Sequence, residues 1–285
     1  VSRLIDGKAV ARVIHEQTAL DVASLLDDGI VPALAVVVPT TDPGTAWYVR
    51  SIARAADRLG IRCLIEQLDE PTPTTIADQL AALSADQDVH GVICQTPLPP
   101  GATLANLGGA IAAAKDVDGA SPTSFGLLAA GSAEAFAPAT AQAVVEILRH
   151  EQIPLVGRRV VVVGRSMVVG KPAAMLLLAE NATVTVCHSR SSDLPSICRE
   201  ADVLVAAVGR PGLIGAEHVR PGAVVIDVGT NPTPDGGLVG DVDEAAVAPV
   251  ASALTPVPGG VGPVTTALLL RHTVVAAARA AGPPA

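Results

Sequence analysis

Aromatic side chains are almost missing from this chain of 285 residues, which holds one Trp, one Tyr and two Phe. Its hydrophobic content is nonetheless 49%, mostly Ala, Val and Leu, so the interior is expected to be a close packing of small side chains. Cysteine is scarce too. Cys63, Cys94, Cys187 and Cys198 form no C-x-x-C pair, which excludes a metal cluster by spacing and argues against a disulfide framework. They read as small buried hydrophobes in a reducing compartment. Basic residues are outnumbered, 19 against 28 acidic, for a net charge of -9. That balance disfavours nucleic acid or an anionic membrane surface as a partner. No apolar signal core opens the chain, and no run reaches the ~20 apolar residues that span a bilayer. The expectation is a cytoplasmic protein without membrane association.

What is present is an alternation. Apolar runs at 33–38, 62–68 and 89–95 read as strands, separated by helical stretches at 45–60 and 74–86. A second series follows a helix at 140–150. Strands are expected at 158–164, 182–187, 202–209, 222–229 and 251–257, a helix at about 168–179, and a last helix at 264–281 before a frayed tail, AGPPA. Strands alternating with helices predict parallel sheets, and the length suits two α/β domains.

One loop points to a dinucleotide. Strand 158–164 runs into GRSMVVGKP, and a glycine turn between strand and helix aims helix N–H groups at a pyrophosphate. The spacing is G-x-S-x-x-x-G rather than G-x-G-x-x-G, so the motif alone is compatible with a simple tight turn. The next strand ends in CHSRSS, with no carboxylate before Asp193 to hold a ribose 2′-hydroxyl. His188, Ser189 and Arg190, with Arg165, suit a 2′-phosphate instead, which favours NADP.

VVVGRSMVVGKP, ADVLVAAVGRPG, VVIDVGTN, VGDVD and TPVPGGVGPVT occur in that order, with DPGTAWYVRS, QTPLP and KDVDG in the first half. Together they resemble the bifunctional methylenetetrahydrofolate dehydrogenase/cyclohydrolase family along essentially the whole chain. The resemblance implies a folate-side catalytic domain (1–139 plus 264–285), a Rossmann NADP-binding domain (140–263), a last helix returning to the first domain, a cleft between the two, and a homodimer. It implies a folate substrate and oxidation of 5,10-methylenetetrahydrofolate to the methenyl compound, with hydration to 10-formyltetrahydrofolate in most members. Tyr48, Gln95 and Asp118 match the family's catalytic positions. Tyr48, Val49, Pro97, Leu98, Asp118, Gly262, Pro263 and Thr265 match its substrate side. Gly164, Arg165, Ser166, His188, Ser189, Gly209 and Thr230 match its cofactor side, and no metal is implied. Tyr48 is expected as an exposed platform for the p-aminobenzoyl ring, Asp118 as the carboxylate gripping the pterin, and Trp47 as packing.

The chain also departs from the pattern. Where the family reads Y-V-x-x-K, this sequence has Tyr48-Val49-Arg50-Ser51-Ile52. The family's lysine is its main acid/base group for hydration, and isoleucine cannot move a proton. At about 100° per residue, Arg50 and Arg54 lie about 200° and 240° from Tyr48, off its helix face, and read as solvated charge. Ala120-Ser121 replaces a bulky residue and a His, and Pro138-Ala139-Thr140-Ala141 replaces a P-C-T-P loop. The expected function is an NADP-dependent dehydrogenase with weak or absent cyclohydrolase activity. The alternatives are a dehydrogenase on a related pterin, or a folate- or dinucleotide-binding pseudoenzyme.

Overall fold

A computed structural model describes residues 2–282. Of the tail expected to fray, residues 283–285 lie outside it. The chain runs β1 (Arg3–Leu4), α1 (Gly7–Asp27), β2 (Ala33–Val38), α2 (Pro43–Leu59), β3 (Arg62–Gln67), α3 (Pro73–Ala85), β4 (Gly91–Cys94), α4 (Leu104–Leu107), α5 (Pro122–Ala129) and α6 (Ala139–His150). It continues through β5 (Arg159–Val163), α7 (Gly170–Ala179), β6 (Thr183–Cys187), α8 (Leu194–Cys198), β7 (Val203–Ala206) and β8 (Val224–Asp227). Last come β9 (Asn231–Pro232), β10 (Leu238–Val239), α9 (Glu244–Val247), β11 (Ala253–Leu254) and α10 (Val261–Ala281).

Two compact units result. Among the described residues, one comprises Val13–Ala139 and residues 266–282; the other comprises residues 2–12 and Thr140–Thr265. Residues 1–12 were expected with the first half of the chain. Of these, residues 2–12 belong with the second unit because β1 pairs in parallel with β11.

The first unit is built on a parallel sheet of order β3-β2-β4. Strand β2 is central and buried at every residue, as a parallel strand covered on both faces must be. Ala35, Val37, Ile76, Leu80 and Val92 form one of its clusters, with α3 covering the sheet. The later part of α10 packs in this unit. His272 Nδ1 lies 2.7 Å from the Val117 carbonyl oxygen, and the Phe136 and His272 rings stand 5.1 Å apart. The last helix thus returns to the first unit, as the resemblance implied.

That helix is also the most apolar long one among the described residues. Its 21 residues are long and apolar enough, by length and composition, to pass as a bilayer span, although Arg271, His272 and Arg279 interrupt the apolar run. Two-thirds of the qualifying window is buried in protein, as in a core helix.

The second unit holds a parallel sheet of order β1-β11-β8-β7-β5-β6, a Rossmann-type arrangement. Strand β5 is flanked by β6 on one side and β7 on the other, so the chain's direction of winding reverses between β5 and β7. In open α/β sheets, ligands bind beyond the strand C-termini at such a reversal. The run at 251–257, expected as a full strand, forms only the two-residue β11.

Candidate functional site

In the first unit the site forms where β2 and β4 end and α2 begins. Asp42 caps α2: its carboxylate accepts from the Thr45 N–H at 2.7 Å and from the Thr45 hydroxyl at 3.0 Å. The Thr45 hydroxyl also reaches the Thr96 carbonyl at 2.8 Å. That bond ties the loop after β4, with its cis Thr96–Pro97 peptide, to the first turn of α2. Gln95 is held at the strand end by its N–H, which donates to Val37 O at 2.9 Å. Tyr48 and Val49 in α2, and Gln95, Pro97 and Leu98 in the loop, are therefore anchored around one junction.

Tyr48 is half-buried rather than an exposed platform. Its hydroxyl is hydrogen-bonded to the Thr266 side chain of α10 and feels the charge of Asp118. Burial first, and Asp118 second, hold the phenol far above its ordinary range, so Tyr48 stays protonated. The Asp118 carboxyl is raised from 3.8 to about 7 by burial and by Asp116, against the lowering effect of the Ala139 N–H that opens α6. The structure thus brings Tyr48 and Asp118 together. Ile52, one turn beyond Tyr48, is 0% exposed, so no proton carrier occupies that position.

Two features were not legible beforehand. Trp47, expected as packing, is 62% exposed. Asp116, the other carboxylate of the DVDG stretch, is only 1% exposed and accepts from Ala120 N, Ser121 N and the Ser124 hydroxyl, the last at 2.6 Å. It shapes the turn that presents Asp118. The small Ala120 and Ser121 border a cavity of about 10 Å³ that also touches Cys94 and Asp118.

In the second unit the β5–α7 loop explains both of its glycines. Gly164 has φ +125, and a Cβ there would stand 2.0 Å from Ala207 O. A Cβ on Gly170 would stand 2.1 Å from Gly164 O. Side chains at either position would force the loop open. The Ser166 hydroxyl accepts from Val169 N at 3.2 Å and Gly170 N at 3.3 Å, capping α7 and leaving its own O–H to donate. Arg165, Ser189 and Arg190 are exposed. His188 Nδ1 accepts from Arg190 N at 3.1 Å, which leaves Nε2 as the proton-bearing nitrogen of the neutral ring. Gly209 and Thr230 lie in the loops after β7 and β8. Gly262, Pro263 and Thr265 fall within the first five residues of α10, which begins three residues before the expected start.

Sequence reasoning gave no role to the carboxylates behind these loops. Asp241, 0% exposed, accepts from Val208 N at 2.6 Å, Gly209 N at 2.9 Å, Arg210 N at 2.9 Å and Asn231 Nδ2 at 2.9 Å. Asp227 accepts from Gly229 N, Asp241 N and Val242 N, and burial raises its carboxyl to about 6. It borders a cleft of about 380 Å³ that is also lined by Pro211, Gly240, Thr255 and Val257. A single Asp ending an apolar strand, as in VVIDVG, was the available signal.

The fold and these loops define an α/β protein with a Rossmann-type nucleotide unit and another α/β unit that holds a half-buried Tyr–Asp pair. The chain belongs to the tetrahydrofolate dehydrogenase/cyclohydrolase family: the family's catalytic-domain model matches residues 5–118 and its NAD(P)-binding-domain model residues 138–281. It is 59% identical, over 96% of its length and 99% of the other chain, to a bifunctional protein FolD from a Parafrankia strain. Among solved structures, it resembles the Campylobacter jejuni FolD methylenetetrahydrofolate dehydrogenase/cyclohydrolase, at 38% identity and TM-score 0.93, covering 98% and 99% of the two chains. It also resembles the Trypanosoma brucei enzyme complexed with NADP and an inhibitor, at 36% identity and TM-score 0.93, covering 99% of each.

Proposed function

We propose that this chain oxidises 5,10-methylenetetrahydrofolate with NADP, and that its hydration of the methenyl product is weak or absent. The observation that carries the reading is the pairing of Tyr48 with Asp118 beside a fully buried Ile52. A protonated phenol and a carboxyl about one turn of helix from an apolar wall can bind and orient a pterin. They cannot replace an amine that activates water.

The nucleotide loop fits the dinucleotide. Gly164 and Gly170 let the loop pack closely against Ala207 and against itself, and α7 presents its N-terminus there. Bound NADP supplies the hydride acceptor. The chain's residues do the rest: Asp118 and Tyr48 hold the folate, Gln95 borders it, and Arg165, Arg190 and His188 receive the 2′-phosphate. Oxidation needs placement and exclusion of water, and no side chain has to remove a proton. The relatives' names carry both activities; Ile52 is the reason to separate them in this chain.

The test is a spectrophotometric assay of the purified protein for methenyl product with NADP and with NAD. Turnover with NADP, and about tenfold or more poorer kcat/KM with NAD, is the expected result; each tenfold is about 1.4 kcal/mol of transition-state binding. No methenyl product with either cofactor overturns the reading.

A further inference from the structure

We propose that Asp116 is a positioning residue for the folate: through the turn they share it holds the Asp118 carboxyl at Tyr48, and it does not reach the substrate itself. The inference rests on the folate reading above. It deepens that reading, from the side chain that grips the pterin to the one that sets how it grips.

The turn is built around Asp116. Its Oδ1 accepts from Ala120 N at 3.1 Å, and its Oδ2 accepts from Ser121 N at 2.9 Å and from the Ser124 hydroxyl at 2.6 Å. Ser124 N donates in turn to the Ser121 hydroxyl oxygen at 3.1 Å, so the carboxylate and the N-cap of α5 form one network. Asp116, Ser121 and Ser124 are each no more than 1% exposed. The turn is pinned from outside as well. Val92 N donates to Lys115 O at 2.8 Å, and the Val117 carbonyl oxygen lies 2.7 Å from His272 Nδ1. Gly119 has φ +58, and a Cβ there would stand 2.4 Å from Phe136 O. Asp118 lies between these fixed points, and its carboxylate accepts from the Ala139 N–H.

The same turn couples geometry to charge. Two carboxylates this close oppose each other's ionisation, and Asp118 feels it: burial first and Asp116 second raise its carboxyl to about 7. A pterin donates from its ring N–H and amino group as a pair, and only the ionised carboxyl offers an acceptor to each. Asp116 therefore sets both the direction of the grip and the pH range over which it is complete. The neighbouring groups from other elements leave that range to the pair. The Tyr48 phenol of α2 stays protonated, and burial pushes the Cys94 thiol, which ends β4 across the small cavity, up to about 11. Lys115 Nζ donates to Asp86 O, and α6 contributes the Ala139 N–H. His272 of α10 meets the Val117 carbonyl and is common to every variant below.

The experiment measures kcat and KM for 5,10-methylenetetrahydrofolate between pH 6 and pH 8 in the wild type, Asp116→Asn and Ser124→Ala. The substrate's own titration is common to all three, so differences belong to the protein. The wild-type KM should rise about tenfold from pH 8 to pH 6 as Asp118 takes up its proton. Asp116→Asn removes the opposing charge and one acceptor. Its folate KM should rise about three- to tenfold at pH 8 with KM for NADP unchanged, and its climb towards acid should begin about one pH unit lower. Ser124→Ala loosens the turn and keeps the charge, so KM should rise without that acid shift. In parallel, NMR of ¹³C-labelled aspartate carboxyls, with Asp118 assigned from Asp118→Asn, follows the same titration without substrate. No folate turnover in the wild type, with the Asp118 carbon still titrating lower in Asp116→Asn, would sink the folate reading alone. An Asp118 titration unmoved by Asp116→Asn, or KM values for folate and NADP that rise together, would overturn the inference. Should Asp116→Asn fail to fold, a flat wild-type KM profile or an unaltered folate KM in Ser124→Ala would overturn it.

Discussion

Asp118, which the proposed function assigns to the pterin, costs stability. Its carboxyl moves from 3.8 to about 7, first by burial and then by Asp116. The folded chain therefore holds this proton more tightly than the unfolded chain does. The penalty for ionising it is absent below about 3.8, grows as pH rises, and is complete above about 7. Asp118→Asn removes the penalty. Its melting temperature should exceed the wild type's by a few degrees at pH 8, equivalent to about 1–2 kcal/mol, and by clearly less at pH 5, while KM for folate rises. Calorimetry at the two pH values checks the sign; an equal shift at both would mean that another interaction governs. At this scale the sequence was partly legible. The pairing of Tyr48 with Asp118 followed from motif matching, but the exposure of Trp47 did not, because a lone ring in an aromatic-poor chain gives no periodicity from which to infer its face.

Among the elements, the loops after β7 and β8 share one anchoring side chain. Asp241 accepts three successive N–H groups, from Val208 to Arg210, and fixes Asn231 as well. Asp241→Ala would leave those donors unpaired, a loss of about 2–4 kcal/mol. KM for NADP should rise several-fold with KM for folate little changed, and Asp241→Asn, which keeps one acceptor oxygen, should recover part of it. Steady-state kinetics with each substrate varied in turn checks the split. If both KM values move together, Asp241 holds the fold in general rather than this loop. The strand–helix alternation was legible because parallel strands such as β2 and β5 are continuous apolar runs between turn signals. β1 was not: it has two residues, and its pairing with β11 joins opposite ends of the chain, which no local pattern records. The carboxylate scaffold was missed for a related reason. Asp227 and Asp241 are 14 positions apart and meet only when β8 and the segment after β10 come together.

For the molecule as a whole, the family's two reactions make unequal demands on the protein. Oxidation asks for a bound dinucleotide and a held pterin; on the proposed reading the tight loop at Gly164 and Gly170 serves the one, and Tyr48 and Asp118 the other. Hydration also asks for a group that exchanges protons with water, and on the proposed reading the fully buried Ile52 stands where that group would be. A lysine introduced there would be buried, which depresses its pKa towards the range a general base needs, at a stability cost of a few kcal/mol. The most direct measurement follows ¹³C-labelled methylenetetrahydrofolate and NADP by NMR with the purified wild type and, alongside it, Ile52→Lys shown by circular dichroism to be folded. The account predicts that in the wild type the methylene signal becomes methenyl and persists, with formyl growing only at the rate seen without enzyme, and that Ile52→Lys speeds the second step. Formyl product appearing at enzymatic rate in the wild type, with no build-up of methenyl, would contradict it.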